Sequence, residues 1–276
     1  MMPEPLLQSA TADVLQTLIA RPPHAVALTG SAGMGKKTVA RWLAEQLTQA
    51  SLANYPYATE LSPIDGKALS IDQIRELEHL MALTLPTGQM RIVLILDAHT
   101  MTGEAANALL KTLEEPPANT VLILTATDEA ALLPTIRSRL QIVTLVAPSS
   151  DELRARLPAP IADTVMAISG GLPGLAFALA ADDQNHPLVQ AATSARELLA
   201  GTAYTRLAQV DVLAKNKEQA ANILYILMQM AHTALLRGGQ GVQRWRQVLQ
   251  AAHEAEIALK NGGQTKLVLT QLMLSL

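Results

Sequence analysis

The residues best equipped for chemistry fall in three short runs: Gly30-Ser-Ala-Gly33-Met-Gly35-Lys36-Lys37-Thr38, Asp97-Ala98-His99 and Ser138-Arg139. In the first run, glycine-freed backbone N–H groups and the N-terminus of the following helix can wrap phosphate, and Lys36 can neutralise it. A phosphate chain such as that of ATP is the ligand this spacing suits. The run departs from its usual form in the last slot, where a Ser or Thr hydroxyl would bind magnesium: the slot holds Lys37, and the hydroxyl arrives one residue late at Thr38. Metal binding at the loop is therefore in doubt. Asp97 closes an apolar run, the place where a metal-binding carboxylate is needed. Its successor, Ala98, cannot accept a proton, so the base that orients an attacking water is missing, and loss of such a base lowers a rate by about 100-fold to 10,000-fold. His99 reads as structural or solvated rather than as a replacement. Two defects at one centre argue against turnover. A glycine-rich turn that no longer meets nucleotide is the competing reading of the loop.

These residues need elements to position them. His24–Gly30 is an apolar run closed by glycine, as expected of a buried parallel strand ending in a turn, and a helix should follow from Lys36 to about Ala50. Further strands are expected at Arg91–Asp97 and Thr120–Thr125, separated by a helix over Gly103–Glu115 that stops at Pro116-Pro117. Strand and helix alternate, which predicts a covered parallel sheet. Gln141–Val146 reads as the last strand. Beyond Ala147 the pattern is helical throughout, first in short pieces broken by Pro158, Pro160 and Gly170-Gly171-Leu-Pro-Gly174. Longer helices are expected after His186, with breaks at Gly238–Gly241 and Asn261–Gly263. Ala221–Met230 is apolar on nearly every side and must be buried; Met228 and Met230 read as core.

Composition limits what the chain can be. At 276 residues and 49% hydrophobic it can build more than one core. It has no cysteine, which removes disulfide scaffolds, thiolate zinc modules and cysteine nucleophiles together. No apolar run approaches the roughly 20 residues of a membrane span, and Met-Met-Pro-Glu-Pro lacks the order of a signal peptide, so a cytoplasmic protein is expected. A net charge of -3 and a single Phe, Phe177, argue against tight autonomous nucleic-acid binding.

Three further motifs carry a resemblance: Ile71-Asp-Gln-Ile-Arg75, Ala105-Ala-Asn107-Ala-Leu-Leu-Lys111-Thr-Leu-Glu-Glu115-Pro-Pro117 and Thr135-Ile-Arg-Ser-Arg139. In that order, over nearly the whole chain, they resemble the AAA+ proteins of the bacterial DNA polymerase III clamp loader, and among them the delta-prime subunits. The resemblance implies that Arg139 acts in trans on the ATP of a neighbouring motor subunit, with Ser138 positioning its loop. Taken alone, Arg139 would read as a surface arginine pairing with a local carboxylate. Leu140 stands where the family usually has cysteine. Leu175 takes the place of a second arginine sensor after the glycine turn, and Thr125 or Thr127 could be the first sensor. The family's four-cysteine zinc module has no counterpart between Ser51 and Lys67, so no metal is expected. Asn107 and Lys111 share a helical face that could meet DNA phosphate, a neighbour or water. Glu114-Glu115 reads as helix termination or a subunit contact.

The expectation is thus an α/β AAA+ P-loop core with a parallel sheet over residues 1–147, a small helical lid over 148–184, and an all-α collar domain over 185–276. The nucleotide residues would be Gly30, Gly33, Gly35, Lys36, Lys37, Thr38, Asp97 and Thr127, in a degenerate site where ATP binding stays open. The implied function is a non-hydrolysing stator that partners gamma/tau motor subunits and a delta subunit, and through them the sliding clamp and primed DNA. A catalytically active motor ATPase using Lys36, Thr38 and Asp97, and an AAA+ adaptor of another DNA-repair complex, remain alternatives.

Overall fold

The computed structural model describes residues 1–64, 67–238 and 241–276. The chain divides into two compact units, Met1–Pro148 and Ser149–Leu276.

The first unit is built around five strands, β1 (Ala25–Thr29), β2 (Ala58–Leu61), β3 (Arg91–Ile95), β4 (Thr120–Ala126) and β5 (Gln141–Thr144). Their order is β2-β3-β4-β1-β5, and every neighbouring pair is parallel. Strands β1, β3 and β4 are buried along their whole length, which explains their unbroken apolar sequences: both faces are covered. Among the described residues five α-helices accompany them, α1 (Ser9–Ala20), α2 (Lys36–Thr48), α3 (Ile71–Met81), α4 (Gly103–Glu114) and the short α5 (Pro134–Arg137). Alternation along the strands sends Ala25, Ala27, Val93, Ile95, Leu122 and Leu124 to one core, with Ile74 and Leu77 of α3, Leu109 and Leu113 of α4, and Ile136 of α5. Helix α2 packs on β1, β3 and β4. Residues of opposite parity on these strands, including Val26, Leu28, Leu94 and Ile123, are also buried. The result is helix, sheet, helix in layers.

Two elements were not anticipated from the sequence. Strand β2 is an edge strand with a half-exposed pattern, and its short Ala-Thr-Glu-Leu run has no apolar signature to betray it. Helix α3 carries its signal in its start and in its spacing: Ser70 accepts from the backbone N–H of Gln73 while the Gln73 side chain accepts from the Ser70 N–H, a capping box, and Ile74, Leu77 and Met81 bury one face. The anticipated helix after the loop ends at Thr48 rather than Ala50, where Gln49 adopts a left-handed conformation.

The second unit is wholly helical: α6 (Ser150–Ala155), α7 (Ala162–Ser169), α8 (Pro173–Ala180), α9 (Pro187–Ala200), α10 (Ala203–Leu213), α11 (Lys217–Arg237), α12 (Val242–Lys260) and α13 (Thr265–Ser275). Helix α11 is its centre, packed on α7, α9 and α12. Ile223, Leu224, Ile226 and Leu227 bury two adjacent faces, as their uninterrupted apolarity requires. The expected break after Arg237 is present, though Gly239 and Gln240 lie outside the described residues, as do Asp65 and Gly66. No helix among the described residues is long and apolar enough to cross a membrane.

Candidate functional site

The phosphate loop joins the carboxyl end of β1 to the N-terminus of α2, the edge at which open parallel sheets hold their ligands. Gly30, Gly33 and Gly35 all have positive φ, at 151°, 79° and 88°, so the turn needs residues without a Cβ. The Gly30 N–H donates to the carbonyl of Thr127 at 3.2 Å, fixing the loop's start to the end of β4. Lys36 folds back over the loop: its Nζ donates to the carbonyls of Gly30 at 2.6 Å and Ser31 at 2.9 Å. Its side chain is buried, and burial pulls its pKa down; Asp97 partly counters that, and Lys37 adds to it.

Asp97 stands beyond the carboxyl end of β3, with β4 between it and the loop strand. It has a left-handed φ of 53°, and its N–H donates to the Thr125 hydroxyl at 2.8 Å. A fully buried Thr125 thus spends its oxygen on holding Asp97 in that turn, a role the sequence did not disclose. Lys37 meets the Asp97 carboxylate at 2.9 Å. The two residues that sequence placed at the loop's metal position are therefore paired with each other. Thr38 is exposed on the next step of the helix. Thr127 directs its hydroxyl to Asp128 at 3.5 Å. Ala98 is buried, and His99 beside it is half-buried with a solvent-shielded Nδ1 that has no hydrogen-bond partner among the described residues; burial lowers its pKa and favours the neutral ring. The geometry brings Gly30, Gly33, Gly35, Lys36, Lys37, Asp97 and the Thr127 backbone to one edge of the sheet.

Ser138 and Arg139 lie elsewhere. They follow α5, which starts on Pro134 and is anchored by the fully buried Ile136. Arg139 stands two residues before Gln141, the first residue of β5, which is in register with Val26 near the start of β1, whereas the loop follows the end of β1. Val26 and Gly30 are four residues apart, which puts roughly 13 Å of strand between Arg139 and its own chain's loop. The guanidinium is held locally: Nη1 donates to the Thr135 carbonyl at 2.9 Å and to the Ser138 hydroxyl at 3.1 Å, and Nη2 to Oε1 of Glu114 at 2.7 Å. The Ser138 hydroxyl in turn donates to the Thr135 carbonyl at 3.0 Å. Glu114, the last residue of α4, shares the exposed face of Asn107 and Lys111. Leu140 packs on the core beneath. In the second unit Leu175 is fully buried, so its position offers no outlet for a charged sensor.

With this geometry in view, the family described as DNA polymerase III, delta subunit, matches residues 7–149. DNA polymerase III subunit delta' of Escherichia coli is 35% identical over 202 residues, 70% of this chain and 58% of that protein. The Pseudomonas aeruginosa subunit delta' is 35% identical over 175 residues, 54% of this chain and 53% of the relative. The chain spans about half the length of the curated relatives it matches. Among solved structures, a DNA polymerase III gamma subunit-related protein of Thermotoga maritima superposes with a TM-score of 0.61 at 17% identity, covering 96% of this chain and 97% of its own, a likeness of fold.

Proposed function

The chain belongs to the family of bacterial DNA polymerase III delta-prime clamp-loader subunits, and on that premise we propose that it is a stator: a subunit that turns over no ATP itself and lends Arg139 to the ATP site of a neighbouring motor subunit. The observation that carries the reading is the placement of Arg139 at the opposite end of the sheet from its own phosphate loop. An arginine that stabilises charge on a transferred phosphoryl group can come from the same chain or from a partner; here the same chain is out of reach. Support from the chain's own loop is the buried Ala98 where a base would stand, and the Asp97 carboxylate already paired with Lys37. Ser138 braces the arginine through its hydroxyl.

In this reading the partners are gamma/tau motor subunits and a delta subunit, the sliding clamp and primed DNA are reached through the assembly, and the compartment is the cytoplasm. Within the helical unit, residues up to 184 serve as the lid and 185–276 as the collar that joins the ring. The test is ATP turnover by the purified chain, alone and then with motor subunits, clamp and primed DNA. Silence alone, stimulation in the mixture and a loss of about 1000-fold or more of the arginine-dependent rate in Arg139→Ala are expected. Robust turnover by the isolated chain would make it a motor ATPase instead.

A further inference from the structure

We propose that Lys37 takes the place of the divalent cation at the phosphate loop, so that the chain binds the phosphate chain of a nucleoside di- or triphosphate without metal. The inference goes beyond the stator reading, and the partner of Arg139 has no part in it.

A magnesium ion at such a loop needs a hydroxyl from the slot after the loop lysine and a carboxylate from the neighbouring strand, directly or through water. Neither is free here. The slot holds an ammonium, and that ammonium sits 2.9 Å from the carboxylate oxygen of Asp97. A divalent ion approaching Asp97 would have to displace a cation already in contact with it. Thr38 cannot repair the slot, because one helical residue turns the side chain by about 100°, and Thr38 is exposed to solvent. Among the described residues, no cluster of three or more His, Asp or Glu side chains could hold a metal ion instead. The residues present do not fit the metal.

They do fit an anion. Lys36 is buried and its ammonium donates to the carbonyls of Gly30 and Ser31, and among the described residues it forms no salt bridge with a carboxylate. The first turn of α2 contains two lysines and no acid, placing both cations at the positive end of a helix, where cations are unfavourable and anions are stabilised. Against these two ammonium groups stands one carboxylate, Asp97, leaving an excess of one positive charge before the helix and loop N–H groups are counted. The other groups facing the site do not cancel it. His99 is held neutral by burial, and the charges that act on Lys36 are those of Asp97 and Lys37, whereas the Asp128 carboxylate acts on His99. A phosphate chain would supply the missing negative charge, with Lys37 bridging it to Asp97 as a metal otherwise would.

The experiment is calorimetric titration of the full chain with ATP and with ADP, each in magnesium and in EDTA, for the native protein and for Lys37→Thr, which restores the hydroxyl to its slot. Lys37 is half exposed, so the variant should fold, and a melting curve checks that it does. The native protein should bind with affinities that agree within about twofold with and without magnesium. Lys37→Thr should bind about tenfold or more weaker in EDTA and recover when magnesium is added. No binding of either nucleotide, native binding tightened about tenfold by magnesium, or a Lys37→Thr protein that matches the native one in EDTA would each overturn the proposal. Turnover plays no part in the readout, so failure here leaves the stator reading standing, and stimulation lost in Arg139→Ala leaves this one standing.

Discussion

Glu114→Gln offers the most direct probe of how Arg139 is held. In the isolated chain the guanidinium has three local acceptors, and only one of them, Oε1 of Glu114, carries charge. To reach phosphate on another subunit, Arg139 must leave that carboxylate while keeping Thr135 and Ser138 as a hinge. The side chains of the pair are 35% and 53% exposed, so solvent and salt screen their attraction, and a pair of this kind contributes about 0.2–1 kcal/mol. Glutamine at 114 keeps the shape and removes the charge. If Glu114 competes with the neighbour's phosphate, Glu114→Gln should raise the stimulation of motor ATPase at sub-saturating subunit by about 1.5-fold to fivefold, the Boltzmann equivalent of that energy. The gain should shrink as salt is added, because the competing contact is itself screened. Folding stability should fall by no more than about 1 kcal/mol. The assay is steady-state ATP hydrolysis by the reconstituted assembly across a salt series. A lowered stimulation would refute the reasoning, since it would mean that Glu114 aims the arginine rather than restraining it.

Two further outcomes test the architecture that carries these residues. Glu45 is buried, and its carboxylate is held below the ordinary value of 4.5, first by the N–H of Met2 and also by that of Leu52, against the opposing effect of burial. A carboxylate whose pKa is lowered on folding stabilises the fold above its ordinary value and loses that contribution as pH falls through the lowered one. Glu45→Gln should therefore cost stability at neutral pH and flatten the acid limb of melting temperature against pH; an unchanged acid limb would show that these contacts do not hold the amino-terminal segment. Arg91 is buried at the start of β3, and its guanidinium donates to the carbonyls of Met81 and Leu83 at the end of α3. Arg91→Met should cost about 2–4 kcal/mol in urea unfolding, because a buried carbonyl and a part-buried one lose charged donors; a loss below about 1 kcal/mol would mean that water replaces them.

Much of this protein was legible in its sequence because the relevant signals are local. Uninterrupted apolar runs at Ala25–Thr29, Arg91–Ile95 and Thr120–Ala126, short and bounded by turn residues, read as strands covered on both faces, and the glycines and lysines between Gly30 and Lys37 have the spacing of a phosphate loop at a strand-to-helix turn. The helical character of everything past Ser149 follows from its periodicity and its Pro and Gly breaks. Motif order sufficed to identify the family. Strand β2 escaped because an edge strand needs little apolar sequence: half of its surroundings are water. The pairing of Lys37 with Asp97 joins residues 60 positions apart across an intervening strand, and depends on the strand order and on how far a lysine reaches. The Thr125 contact that turns Asp97 depends on register between β3 and β4. That Arg139 lies at the far end of the sheet from its own loop, tied to Glu114, is likewise a matter of strand direction and register. Residue types and spacing determined what chemistry was available; which charges meet, and which phosphate Arg139 cannot reach, was decided only when parallel strands fixed the distances.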